Sequence, residues 1–149
     1  MKSKDFKNKR VVVMGLGLHG GGVGTARFMA KAGAKVLVTD LKKEEELKDS
    51  LKVLKEFKNI EYVLGQHRME DFKTADFIIR NPGIPDDSKH LAVARENKIP
   101  IESDVGIFFE LCKSQIIGVT GSKGKSTTAA LIVDVLKTTY QSVFFAGNN

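Results

Sequence analysis

Apolar residues in this chain gather in short blocks separated by longer stretches of alternating character. RVVVM at Arg10–Met14 is a near-continuous apolar run closed by glycines, the pattern of a strand buried on both faces. Residues 20–31 read as a helix that Gly33 stops. A second β-rich run covers residues 35–39. Leu47, Leu51, Leu54 and Phe57 recur at spacings of four and three, which places them on one helix face. Further strands are predicted at Ile60–Leu64 and 75–79, the latter cut off by Asn81-Pro82-Gly83. A helix over 88–97 precedes a fifth strand over 99–102, and Asp104 is placed to cap the helix holding Ile107, Phe108, Leu111 and Cys112. Strands alternating with helices predict an α/β fold, a parallel sheet with helices on both faces, over residues 1–112.

A new pattern begins at Gln115. QIIGV reads as a strand, a glycine-lysine loop follows, then an amphipathic helix from Lys125 to Lys137 and one more strand over 142–145. One strand, one helix and one strand cannot bury an independent core. Residues 113–149 therefore read as the opening of a second domain.

Charge and composition narrow the function classes. The net charge is +6, but lysines such as Lys42, Lys43, Lys48, Lys52 and Lys55 are scattered along helix faces. No basic block with interleaved aromatics exists, which argues against nucleic acid. No apolar run reaches the ~18 residues of a membrane span, so membrane insertion is not expected. The basic start MKSKDFKNKR lacks the apolar core of a signal peptide. The single cysteine, Cys112, rules out an internal disulfide and fits a reducing cytoplasm; it reads as a small apolar residue on a buried helix face.

Two glycine loops carry the candidate chemistry. Gly15-Leu16-Gly17-Leu18-His19-Gly20 fits G-x-G-x-x-G between a strand and a helix. Such glycines allow a tight turn and close backbone approach to a diphosphate, and the helix start offers free N–H groups. Asp40 ends the second strand about 20 residues further on, the place of a ribose-binding carboxylate in dinucleotide enzymes. With Gly21, Gly22 and Gly24 the helix start is unusually glycine-rich, and a mobile first turn is expected. The second loop, Thr120-Gly121-Ser122-Lys123-Gly124-Lys125-Ser126-Thr127, has the layout of a phosphate-binding loop. Its backbone N–H groups would surround phosphate oxygens, Lys125 would face the outer phosphates, and the Ser126 hydroxyl would bind Mg²⁺. The spacing is shorter than the usual G-x-x-x-x-G-K-[ST]. An NAD-binding oxidoreductase accounts only for the first loop, and a simple P-loop NTPase only for the second. A non-catalytic nucleotide-binding module remains compatible with both.

T-G-x-x-G-K-[ST] resembles the shortened phosphate loop of the Mur ligases and the related folylpolyglutamate synthetases, and the preceding domain with its own glycine loop is similar to the Mur branch. The opening Gly-Leu-Gly-x-x-Gly, Asn81-Pro82-Gly83-Ile84-Pro85, the segment from Ser103 to Phe109 and Gly147-Asn148 resemble the members that add D-glutamate. The competing assignment within the family is a member adding L-alanine or a diamino acid. The resemblance implies a Rossmann-like UDP-substrate-binding domain over 1–112 and, over 113–149, the first β-α-β unit of a P-loop ATPase domain. It implies an ATP- and Mg²⁺-dependent cytoplasmic ligase of peptidoglycan biosynthesis. ATP phosphorylates the carboxylate of UDP-N-acetylmuramoyl-L-alanine, and the amine of D-glutamate then attacks the acyl phosphate. Carried over by position, Gly15, Gly17, Leu18, His19 and Gly20 would meet the UDP portion. Asp40 and Lys42 would face the uridine end, Asn81 and Gly83 the same nucleotide, and Asn148 the sugar or peptide side. Residues Gly121, Ser122, Lys123, Gly124, Lys125, Ser126 and Thr127 would hold the ATP phosphates, with Lys125 catalytic.

This sequence departs from the family pattern at four places. His19 stands where Ser or Thr is usual, Asn81 replaces Ser, Lys123 replaces a common Asn, and Asn149 replaces the Ile after Gly-Asn. The family's acidic Mg²⁺ ligand, modified lysine and D-glutamate-binding domain lie downstream of the part matched here. The isolated chain is therefore expected to lack ligase activity.

Overall fold

The structure, a computed structural model, describes residues 2–17 and 21–147. The chain divides into two compact units, Met1–Cys112 and Lys113–Asn149.

The first unit is built on five strands: β1 (Arg10–Met14), β2 (Lys35–Asp40), β3 (Ile60–Leu64), β4 (Phe77–Arg80) and β5 (Ile101–Ser103). All pairings are parallel, in the order β3-β2-β1-β4-β5, with Val12 of β1 opposite Leu37 and Ile78. Helices α1 (Gly21–Lys31), α2 (Lys48–Leu54), α3 (Asp71–Thr74), α4 (Lys89–Glu96) and α5 (Asp104–Leu111) connect or follow them. The apolar run of β1 is explained by burial on both faces. Val11 and Val13 join a core with Ala26 and Met29 of α1, Leu54 of α2 and Ile107 of α5. Val12 and Met14 point the other way, into a core with Phe72 of α3 and Leu91 and Ala94 of α4. Side chains alternate faces along a strand, so a central strand between two helix layers must be apolar throughout. The α/β class expected from the pattern, and the Rossmann-like form that the family resemblance implies, are the fold of this unit.

Several boundaries differ from expectation for identifiable reasons. The fourth strand starts at Phe77, not Ala75, because Ala75 caps α3 and the Asp76 carboxylate accepts the Arg10 amide at 2.8 Å. The fifth strand is Ile101–Ser103 rather than 99–102, since the Ile99 amide closes the turn after α4 by donating a hydrogen bond to the Ala94 carbonyl at 3.0 Å. The α5 cap is Ser103, whose hydroxyl accepts the Gly106 amide at 2.9 Å; Asp104 is already the first helical residue. The predicted leucine face does form. Leu47 is the N-cap of α2 and Phe57 lies beyond its end, yet both pack on the same core as Leu51 and Leu54. Cys112 is half-buried at the α5 C-cap, not on a buried face.

The second unit holds one helix, α6 (Lys125–Lys137). Among its described residues there is no strand: the runs at 115–119 and 142–145 are irregular, against expectation. An isolated strand has no ladder to join, and none of the described residues here is buried, so hydrogen bonding and packing that would fix a strand are both missing. Among the described residues no helix is long and apolar enough to cross a membrane.

Candidate functional site

In the order β3-β2-β1-β4-β5 the chain leaves β1 toward β2 on one side and returns to β4 on the other. The carboxyl ends of β1 and β4 therefore flank a switch point, where open α/β sheets bind ligands. The first glycine loop leaves β1 there, and the Asn81–Gly83 turn leaves β4 beside it.

The loop is shaped by residues distant in sequence. Gly15 and Gly17 have φ of +91° and +67°, left-handed values that favour glycine. Asp40, at the end of β2 and 7% exposed, turns inward. Its Oδ2 accepts the amides of Leu16 at 2.8 Å and Gly17 at 3.1 Å, and its Oδ1 accepts the Lys42 amide at 2.9 Å. Both carboxylate oxygens are thus committed to shaping the turn, and the amides of Leu16 and Gly17 face Asp40 rather than an external anion. Donors for an anion at this loop must come from further along, where α1 starts. Asn81 lies across the loop: a Cβ on Gly15 would fall 2.9 Å from the Asn81 Cβ, and the Asn81 Nδ2 is 3.7 Å and 3.9 Å from Cβ positions built at Gly17 and Gly21. Its Oδ1 accepts the Gly83 amide at 3.1 Å, which fixes the turn. The structure therefore brings Gly15, Gly17, Asp40, Lys42, Asn81 and Gly83 into one neighbourhood. Leu18, His19, Gly20 and Asn148 lie outside the described residues.

Sequence reasoning missed two groups near this end of the sheet. Asp104 Oδ2 comes within 3.5 Å of a Cβ position at Gly21, so a carboxylate overlooks the start of α1. Behind the loop, Thr39 is fully buried and its hydroxyl lies 2.7 Å from His67 Nδ1, while the His67 and His90 rings meet edge to face at 5.1 Å. Phe72 completes the cluster, 5.1 Å from His90. Burial pushes His67 down from the ordinary imidazole range; His90 adds to this and Asp40 opposes it. Burial likewise lowers His90 and Lys89 adds to it, against a hydrogen bond to the His67 backbone. Both imidazoles take up a proton less readily in the fold than in the unfolded chain, so the unfolded chain binds more protons below its own histidine pKa of about 6.5. Their stabilisation is complete above that pH and is lost as pH falls through it toward the lower folded values. The urea midpoint should drop between about pH 7.5 and about pH 5.5, and less steeply in His90→Gln; an equal drop in both proteins would assign the effect elsewhere.

The second loop enters α6. Gly121 and Gly124 have φ of +149° and +77°, and Gly124 is the α6 N-cap with no side chain bonded to the first turn. Residues 121–128 are exposed, so the N–H groups at this helix start are open to a ligand. Lys125 folds back so that its Nζ donates to the Gly121 carbonyl at 2.7 Å, which sets a positive charge inside the loop. This arrangement fits a nucleotide's outer phosphates. The described residues contain no group of three or more His, Cys, Asp or Glu able to hold a metal, and the residue expected to give a divalent ion one oxygen, Ser126, is exposed at the start of α6. Any Mg²⁺ here would be held mainly by nucleotide oxygens and water.

Comparison with known proteins identifies the architecture. Residues 9–103 match the family model described as Mur ligase MurD-like, N-terminal domain. The chain is 47% identical over 140 residues to UDP-N-acetylmuramoylalanine--D-glutamate ligase of Roseiflexus sp. (strain RS-1), covering 94% of this chain and 30% of that protein. It is 45% identical over 145 residues to the protein of the same name from Borreliella burgdorferi (strain ZS7), covering 97% and 31%. Among solved structures it is similar to a pseudomurein peptide ligase type C from Methanothermus fervidus, with a TM-score of 0.56, 30% identity, and coverage of 88% of this chain and 26% of that one. The chain thus spans about 30% of the length of the curated relatives it matches. The glycine loop after β1, the Asn81 turn laid over it and the family match over 9–103 lead to one assignment: this chain belongs to the MurD-like N-terminal domain family of the Mur ligases.

Proposed function

We propose that this chain supplies the UDP-substrate domain and the ATP phosphate loop of a cytoplasmic ligase that joins D-glutamate to UDP-N-acetylmuramoyl-L-alanine. The observation that carries the reading is the presence of two differently built glycine loops in one chain. The first is clamped from behind by Asp40 and covered by Asn81; the second is open, with Lys125 drawn into it. Names of the relatives support the D-glutamate assignment.

In this reading the start of α1 and Asn81 receive the UDP diphosphate, with Gly83 and Lys42 beside it. The loop from Gly121 to Thr127 receives the ATP phosphates. Phosphoryl transfer asks for positioning and charge neutralisation, which the loop amides and Lys125 provide, while Ser126 gives an oxygen to Mg²⁺. A dehydrogenase reading loses ground on Asp40. A ribose-binding carboxylate presents its oxygens to the ligand, whereas here three backbone amides occupy them. Titrating the chain with UDP, UDP-N-acetylmuramoyl-L-alanine and NAD tests the assignment. The UDP-sugar is expected to bind most tightly, and tighter binding of NAD than of every uridine nucleotide would overturn the reading.

A further inference from the structure

A second concave site, distinct from both glycine loops, opens between β4, β5 and α4. It is a cleft of about 350 Å³. Arg80, the last residue of β4, and Arg95 of α4 reach its rim, and Ile99, Ile101, Glu102 and Ser103 line it, the Ser103 hydroxyl accepting the Gly106 amide at 2.9 Å and donating to Glu102 Oε1 at 3.3 Å. Asp86 lies at the same rim, in the connection from β4 to α4, with its side chain 73% exposed. Arg95 grips it twice: Nη1 donates to the Asp86 backbone carbonyl at 2.8 Å and Nη2 to Oδ1 at 2.7 Å. Arg80 is less well served. Its Nη1 donates to the Ile84 carbonyl at 3.1 Å, but its Nη2 stops 3.9 Å from Asp86 Oδ1, beyond hydrogen-bonding distance.

Two guanidiniums converging on one carboxylate, with one of them incompletely paired, form a site for a planar monoanion. The tether of Asp86 holds its carboxylate against Arg95 and short of Arg80. A free carboxylate of similar size can sit between both. Two arginines stand against Asp86 and Glu102, so the lining as a whole is neutral; Glu102 Oε1 is taken by the Ser103 amide at 2.8 Å, which leaves Asp86 as the carboxylate facing the arginines, with Ile99 and Ile101 beside them. We propose that this cleft binds a small aliphatic carboxylate, and that Asp86 is its internal competitor. The site does not depend on the ligase reading. Arg80 immediately precedes Asn81, so an occupant that draws Arg80 away from the Ile84 carbonyl acts on the turn covering the first glycine loop.

The test is an NMR titration of the whole chain with butyrate, following the amides of Arg80, Arg95 and Ser103 and the methyls of Ile99 and Ile101. Asp86→Ala should bind butyrate about tenfold more tightly than the unmodified chain, and Arg95→Ala should lose the binding. Both positions are solvent-exposed, so the variants should fold. Inorganic phosphate run in parallel should bind more weakly, because it brings no chain to lie on the isoleucines. The proposal fails if Asp86→Ala shows no saturable shifts up to about 50 mM butyrate, if Arg95→Ala titrates like its parent, or if phosphate binds as tightly as butyrate.

Discussion

Replacing Lys125 by Ala should lower ligase turnover about a thousandfold in a chimera joining these 149 residues to the rest of the Roseiflexus relative. The affinity for the UDP-sugar should hardly move. The Nζ of Lys125 already sits at the Gly121 carbonyl, at the mouth of an exposed turn whose amides have no side-chain cap. A terminal phosphoryl group entering that turn would exchange its hydration for the ammonium and the amides, and the charge that spreads over its oxygens during transfer would be stabilised where it develops. The lost hydrogen bond to Gly121 is exposed, so its removal costs little stability and cannot by itself account for a large kinetic loss. Turnover of Lys125→Ala within a factor of a few of the parent would refute the role given to this lysine.

The second large effect is structural. A Cβ at Gly22, in the first turn of α1, would run into the carbonyl oxygens of Gly15 and Leu16 and lie 2.7 Å from the Leu16 Cα. All three are backbone atoms of the loop, itself pinned by Asp40, so no side chain can swing aside. Gly22→Ala should cost about 3 kcal/mol or more and weaken UDP binding, because helix and loop must part. Gly24→Ala is the matched control. Nothing lies within 4 Å of its Cβ position, and alanine should raise helix stability by up to about 1 kcal/mol. Urea midpoints compare the two directly. If Gly22→Ala is no less stable than Gly24→Ala, the close approach of α1 to the loop is not the constraint described here.

These glycines also show what the sequence could convey. A run of glycines at a helix start reads as a mobile turn when judged by propensity alone, yet Gly22 is there because backbone approaches backbone. Strands β1 and β3 were legible to the residue, since an apolar run ended by glycines and a short β-rich run leave little choice. The four-residue α3 was missed because one turn carries no periodicity. The strands expected at 115–119 and 142–145 were read from composition that describes a strand only when neighbours pair with it. At the site, both glycine loops could be found by spacing. The inward turn of Asp40 could not, because it depends on contacts 23 and 24 residues apart in sequence, and the same holds for Asn81 lying over Gly15. The His67–His90 pair and the Arg80–Asp86–Arg95 cleft gave no motif at all. Each is assembled from elements that meet only once the sheet has formed.

Backbone amide shifts recorded while the chain is titrated separately with UDP and with ATP test the central claim most directly. UDP is expected to move Gly21, Gly22, Asn81 and Gly83 and leave residues 121–127 in place, while ATP moves 121–127 and leaves the first group unchanged. Either nucleotide moving both groups with one shared affinity, or ATP acting at Gly21 and Gly22 in place of UDP, would contradict the assignment of two loops to two ligands.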